Sequence, residues 1–353
     1  MNGPVKIAIV GLGRAGWGIH ALQLRGRPDF RVVAVASSDA ARRNEAMADF
    51  HCEAYVDLKS LLKKSAAEVV VIATPSSMHE SDALQVLNSG RHCILEKPMA
   101  MSHAGAKQIL ATTTRKRRKL FMHHSCRFSP EYCHLREILD SGVLGHVFEI
   151  RACWTSFARR NDWQTLRKNG GGILNNNGPH ILDQTLAFLD APVVSLLGDL
   201  QHLKDPGDGE DHAHVFIKAE NGRVADITLS SVCALPLPKW MFLGSCGTLS
   251  TDGTTTTLRY FDPKKVSPLK VVDGPAPGRA FGNDDKLPWV EKNFPTQPTV
   301  KYPSFYDNVA DVLLRNKPMF ATPPQAVEVV RISEWVRKGT KFTQPIIRQS
   351  ARK

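Results

Sequence analysis

The sequence has no long apolar run. Nothing in it approaches the roughly 18 residues of a membrane-spanning helix, so no membrane partner is expected. It also lacks paired-cysteine motifs. Its seven cysteines, Cys52, Cys93, Cys126, Cys133, Cys153, Cys233 and Cys246, show no CxxC spacing. An odd, scattered set predicts free thiols rather than a disulfide framework. There is no internal repeat. No leader is expected either, since the first apolar strand, Val5-Lys6-Ile7-Ala8-Ile9-Val10, starts almost at once and leaves little room for a signal peptide. The expected location is cytoplasmic. Acidic residues are scarce, 34 Asp and Glu against 46 Lys and Arg, a net +12. Such a balance can serve nucleic acid, a membrane surface or an acidic ligand. The densest run, Arg115-Lys116-Arg117-Arg118-Lys119, ends a helix expected over Ser102 to Thr114, where cations are favourable. No aromatic interleaves it and no nucleic-acid module surrounds it, so no nucleic-acid partner is expected.

What is present fits a soluble two-domain chain: 353 residues, 42% hydrophobic and 23% charged. Strand and helix patterns alternate through the first third. Strands are expected at Val5–Val10, Phe30–Ala36, Glu68–Ala73, His92–Leu95 and Leu120–Met122, with helices between them. Alternation of this kind predicts an α/β unit, a doubly wound parallel Rossmann sheet, over residues 1–125. After about Ser125 the texture changes. A helix runs from Pro130 to Asp140, and β segments separated by turns follow. His212–Glu220 and Arg223–Ser230 read as a hairpin turning at Asn221-Gly222, and Trp240–Gly244 with Thr248–Ser250 as a shorter pair. Residues 126–353 are therefore expected to form an α+β domain with a mostly antiparallel open sheet. Residues 262–302, rich in Pro and Gly, are expected to be irregular. Helices near 305–314 and 325–337 close the chain, the segment of about 303–338 packing near the domain junction.

Two motifs carry chemistry. Gly11-Leu12-Gly13-Arg14-Ala15-Gly16 follows a strand and opens a helix, the context in which backbone amides approach a pyrophosphate at a helix N-terminus. At the end of the second strand, where NAD-binding folds usually place an acid, this chain has Ser37-Ser38, with Arg42 and Arg43 one turn on. Serines and a guanidinium would hold a 2′-phosphate by charge-assisted hydrogen bonds, so NADP(H) is preferred and NAD(H) is possible. The alternative leaves both arginines solvated and gives the ribose hydroxyl to Asp39. The second motif, Glu96-Lys97-Pro98, closes the strand His92–Leu95. A lysine there points into the crevice where such folds bind ligands. His123, His124 and Cys126 match no zinc spacing, and adjacent histidines on a strand face opposite ways, so no metal is expected.

In order along the chain stand Gly11–Gly16; Ala73-Thr74-Pro75 with His79; Glu96-Lys97-Pro98; Arg127-Phe128; and Gly170-Gly171-Gly172 followed by Asn176, Gly178, His180 and Asp183. The combination resembles the Gfo/Idh/MocA family of oxidoreductases, which includes glucose–fructose oxidoreductase and inositol dehydrogenases. The resemblance spans nearly the whole chain. It implies that Lys97 binds the substrate's reacting oxygen, that His180 does acid/base work, and that a cis peptide bond precedes Pro98. It places Thr74, Pro75, His79 and Glu96 with the cofactor. Arg127 and Phe128 would link the domains, Arg127 also touching substrate, and Asp183 would be structural, or would orient His180 at i+3. Asn176 departs from the aspartate of many members: it can hydrogen-bond a hydroxyl but cannot take a proton. If Asn176 and His180 share one helical turn they share a face. Trp154, Trp163, Arg159, Arg160 and Arg167 are further pocket candidates. The implied partners are a sugar or polyol substrate and a second copy of the chain, as a homodimer or homotetramer through the C-terminal sheet. Two other activities fit the same resemblance: a glycosidase that retains its NAD, and a nucleotide-sensing regulator without turnover.

Overall fold

The computed structural model describes residues 3–271, 273–275, 282 and 285–343. Six strands form the first sheet: β1 (Val5–Val10), β2 (Phe30–Ala36), β3 (Glu53–Tyr55), β4 (Val69–Ile72), β5 (His92–Leu95) and β6 (Leu120–Met122). Their order is β3-β2-β1-β4-β5-β6 and every pair is parallel. The order reverses direction from β1, which puts a crevice at the strands' C-terminal ends. All four residues of β4 are buried, as expected of a strand covered on both faces. The short β3 was not anticipated, because Glu53-Ala54-Tyr55 is too brief to carry a pattern.

The helix after the glycine loop is unusual. Gly16–Ala21 is a π turn, which continues as α1 (Leu22–Leu24). Side chains cap the helices that follow. Asp39 accepts from the Arg42 N–H at the start of α2 (Ala40–Phe50), and Asp57 does the same for α3 (Leu58–Lys64). Next come α4 (His79–Asn88) and α5 (His103–Lys116), the latter capped by Ser102. The basic run straddles the end of α5: Arg115 and Lys116 lie in its last turn, and Arg117, in the left-handed region, is its C-cap.

The second unit opens with α6 (Pro130–Asp140), capped by Ser129. Its sheet contains β7 (Val147–Thr155), β8 (Val193–Gln201), β9 (His212–Ala219), β10 (Val224–Ser230), β11 (Trp240–Gly244), β12 (Gly247–Thr251), β13 (Thr255–Tyr260) and β14 (Val290–Pro295). The spatial order is β14-β13-β12-β11-β7-β10-β9-β8, antiparallel except for β7 beside β10. The Asn221-Gly222 hairpin forms as read, with Gly222 at φ +85°. The stretch 262–302 is not wholly irregular, because β14 lies within it and pairs with β13. Its residues 272, 276–281, 283 and 284 lie outside the described set, as does the chain after 343. One sheet face packs on α6, α7 (Ile173–Asn176) and α8 (Gly178–Leu189). The other face is open, and β9 alternates regularly between buried and exposed residues.

The last helices return to the first sheet. Phe305, Tyr306, Val309 and Ala310 of α9 (Phe305–Leu314) join the core on one face, with Val5, Ile7 and Ile9. From α10 (Pro323–Arg337), Ala326, Val327 and Val330 join the core on the other face. Val329, Ile332 and Val336 of the same helix belong to the core of the second unit.

Candidate active site

Glycine is required at two places in the phosphate-type loop. A Cβ on Gly11, at φ +89°, would lie 2.5 Å from the Ala73 carbonyl oxygen, and one on Gly16 would lie 1.8 Å from the Gly11 carbonyl oxygen. A Cβ on Gly13 would meet nothing within 4 Å, so that side of the loop is open to an incoming group. Backbone amides at a helix start, with free space over the middle glycine, fit a dinucleotide pyrophosphate. Leu12 is buried, and Arg14 is exposed beside the opening. At the end of β2, Arg43 Nη1 donates to the Ser37 carbonyl at 2.6 Å. Arg42 pairs with Asp39 at 3.2 Å, and that carboxylate also caps α2. Ser38 is exposed.

Lys97 stands at the end of β5, after Glu96 and before a cis bond to Pro98. Its Nζ reaches into the second unit and donates to the Asn176 backbone carbonyl at 2.9 Å. Burial lowers its ammonium pKa below the usual value, and the Glu96 carboxylate opposes that shift. His180 begins α8 and stacks on Trp154, with ring centroids 5.7 Å apart. Its Nδ1 is buried and has no hydrogen-bond partner among the described residues. Burial, and then the Lys97 charge, push the imidazole down to about 3, so at neutral pH the ring is uncharged. Trp154 and Asn176 line a cavity of about 130 Å³ together with Arg160, Gln164, Asn177, Asp205 and Ser231. A larger cavity of about 560 Å³ is lined by Arg127, Tyr132 and Tyr302, and neither cavity has Lys97 or His180 in its lining. Volume alone does not locate the chemistry here.

Several sequence expectations need correcting. His79 is buried rather than open to the crevice. It is 1% exposed, and its ring bridges the Pro98 and Thr74 carbonyls at 2.7 and 2.9 Å. The Thr74 hydroxyl is taken by Asp82 at 2.8 Å, while Pro75 is exposed. The Glu96 side chain turns inward, away from the crevice, to His20 and His123. Arg127 is buried against Tyr132 and Phe320 and pairs with Asp183 at 3.5 Å, so it does not line the Trp154 cavity. Asp183 therefore serves Arg127 and lies 3.9 Å from His124, rather than orienting His180. Asn176 and His180 do not share one helix, because the chain breaks at Asn177 between α7 and α8. Trp163 is 44% exposed and absent from the cavity lining, although its neighbours Gln164 and Thr165 are present. Of the arginine candidates, Arg160 lines the cavity, and Arg159 and Arg167 do not.

Sequence reasoning missed His20, Tyr306, and the buried pair Glu210–Arg337 at 2.8 Å. The signal for His20 was available: it sits in an otherwise apolar helical stretch four residues past Gly16, facing the sheet.

Burial lowers the pKa of His20, His124 and His180 in the folded chain. Unfolding then takes up protons between the folded and the unfolded values. This stabilisation is complete above about pH 6.5. It is lost as the pH falls from there toward the folded values, about 3 for His180. Thermal midpoints should decline between about pH 7 and about pH 5, before ordinary carboxylates titrate. Melts across that interval check this, and a flat midpoint would contradict it.

Comparison with known proteins agrees with this architecture. Residues 5–124 match the oxidoreductase family with an NAD-binding Rossmann fold, GFO/IDH/MocA, and residues 132–250 match the GFO/IDH/MocA C-terminal domain. An uncharacterized oxidoreductase of Escherichia coli K12, YdgJ, is 25% identical, covering 95% of this chain and 96% of its own. The scyllo-inositol 2-dehydrogenase (NADP(+)) IolW of Bacillus subtilis 168 is 21% identical, covering 97% and 96%. The crystal structure of an NAD-binding protein from Listeria innocua superposes with a TM-score of 0.77 at 24% identity, over 94% of this chain and 93% of that one.

Proposed function

Because the chain belongs to the GFO/IDH/MocA family of oxidoreductases, with both its Rossmann and its C-terminal domain, we propose that it moves a hydride between NADP(H) and the hydroxyl or carbonyl carbon of a sugar, cyclitol or related polyol. It is an NAD(P)-dependent oxidoreductase. The B. subtilis relative, by its name an NADP(+) cyclitol dehydrogenase, supports the substrate class. When bound, the nicotinamide supplies the hydride acceptor or donor, and this chain's residues handle the proton and the charge. One observation carries the reading: Lys97 Nζ, held by the Asn176 carbonyl, stands close enough to His180 to act on its ring electrostatically, and that ring has an unpartnered nitrogen. In the oxidation direction, His180 takes the hydroxyl proton while the Lys97 ammonium stabilises the forming alkoxide. In reduction the same groups run in reverse. Asn176, on the cavity wall, binds a hydroxyl without competing for its proton.

The engagement of Asp39 with Arg42 and the α2 cap supports NADP(H), since that carboxylate is already in use at the ribose end. Arg43→Ala should weaken NADPH binding by about tenfold or more and leave NADH nearly unchanged. Fluorescence titrations with both nucleotides check this, and equal effects would remove the 2′-phosphate from this position. Turnover on a polyol and keto-sugar panel with the preferred nucleotide tests the whole reading. Nucleotide binding without turnover of any member would count against it. Leu197 and Phe216, exposed register partners on the open sheet face, support a homodimer or homotetramer through that face.

A further inference from the structure

Beneath Lys97 lies a second set of polar groups that the proposed reaction does not use. The Glu96 Oε1 is 2.8 Å from His123 Nδ1 and 3.0 Å from His20 Nε2. On its other side, the His20 Nδ1 is 2.8 Å from the Tyr306 hydroxyl. The four residues come from the π turn, the end of β5, the residue after β6, and α9. All are buried, and the two imidazoles lie 4.4 Å apart. The second Glu96 oxygen accepts the Lys97 backbone N–H at 3.2 Å.

Two histidines and a carboxylate with ligand atoms within 4.8 Å of one another resemble a metal triad. Hydrogen bonding explains the arrangement better. The carboxylate oxygen is at bonding distance from both rings, and the outer nitrogen of His20 is taken by Tyr306. A carboxylate only accepts, so both rings donate to it, and Tyr306 O–H donates to His20 Nδ1. This assignment accounts for each of these contacts with a single buried negative charge on Glu96 and leaves His123 Nε2 without a partner among the described residues. Burial raises the Glu96 carboxyl, but the bonds from His123 and His20 outweigh it and hold the group well below its ordinary value. Burial also keeps His20 low and Tyr306 well above its usual value, so the protons stay in place through neutral pH.

We propose that His20, His123 and Tyr306 are positioning residues that hold the Glu96 carboxylate in place as the buried counter-charge of Lys97. The inference rests on the role given to Lys97 above, and it explains how an ammonium persists in a partly buried site. The other groups acting on Lys97 are the cations Arg14 and Arg160, which work against its charge, and the Cys126 thiol. His180 and His124 are neutral there, with His124 near Asp183. Among the described residues, Glu96 is the carboxylate that acts on Lys97, and its second oxygen already holds the Lys97 backbone N–H at 3.2 Å.

The test reads the lysine directly, without turnover. Competitive acylation of the nucleotide-free protein across a pH series, followed by peptide mass spectrometry, gives the titration midpoint of Lys97. Glu96→Gln and His123→Leu should each lower that midpoint by about one unit or more. His123→Gln, which keeps a donor to the carboxylate, should restore most of the difference. Tyr306→Phe keeps the ring packing and should shift the midpoint less, in the same direction; it serves if the other variants do not fold. An unchanged midpoint in a folded Glu96→Gln, or in Tyr306→Phe when that is the only folded variant, would overturn the proposal. So would a stoichiometric divalent metal in the purified protein. Failure of the oxidoreductase reading would show as absent turnover with this titration intact, so the two can be told apart.

Discussion

Lys97→Ala is expected to lower kcat by about 10²-fold or more while leaving the nucleotide dissociation constant nearly unchanged. The separation follows from where the two ends of the side chain stand. Its backbone belongs to the end of β5 in the Rossmann sheet, but its Nζ lies across the crevice on the Asn176 carbonyl. Truncation therefore removes charge at the reacting oxygen and leaves the glycine loop and the β2 end untouched. The loss should appear in kcat and kcat/KM alike, because an interaction made with the forming alkoxide is stronger in the transition state than in the ground state. Steady-state kinetics with a nucleotide titration on the same preparation measures both. A drop of only a few-fold would remove Lys97 from the mechanism. A parallel loss of nucleotide binding would mean that the residue shapes the loop instead.

Arg337→Ala should destabilise the fold by about 3–5 kcal/mol. The guanidinium, at the last turn of α10, donates to Glu210 at 2.8 Å, with side-chain exposures of 4% and 0%. Glu210 also accepts the Leu174 backbone N–H and packs against Gly172, at the start of α7. Losing the arginine would strand a buried carboxylate beneath the segment that presents Asn176. Removing Glu210 as well should cost less than removing Arg337 alone, because the unpaired charge is then gone. Denaturant melts of the two single variants and the double variant form the cycle that checks this. A double variant no better than Arg337→Ala would place the effect in lost packing rather than in charge.

The residues legible beforehand are those whose meaning lies in a few consecutive positions. Gly11 and Gly16 announce themselves because a tight strand-to-helix turn excludes any Cβ, and Lys97 because it ends an apolar strand. The parallel sheet follows from strands alternating with helices. Partners distant in sequence were illegible. Glu96 meets His20 across 76 positions, Tyr306 meets His20 across 286, and Arg337 meets Glu210 across 127. No local pattern says which distant polar residue each of these will find. His79 and Arg127 were misplaced for the same reason. A polar side chain beside a motif reads as a ligand contact until the carbonyls or the carboxylate that satisfy it are seen.

The return of α9 to the first sheet has a consequence for synthesis. All six strands of that sheet exist once Met122 has been made, yet the core that holds Val5, Ile7 and Ile9, begun by Leu12, Ala21, Leu24 and Ala46, is not complete until Phe305, Tyr306 and Val309 arrive. At ordinary rates of translation the delay is on the order of 10–40 s. Through that interval the nascent chain shows an apolar sheet face to chaperones, and any message ending early would leave it exposed. The dinucleotide unit, though first to be made, is among the last parts of the molecule to be finished. A fusion or truncation that withholds the C-terminal helices should yield a product that is recognised as incomplete and degraded, rather than a free-standing nucleotide-binding module.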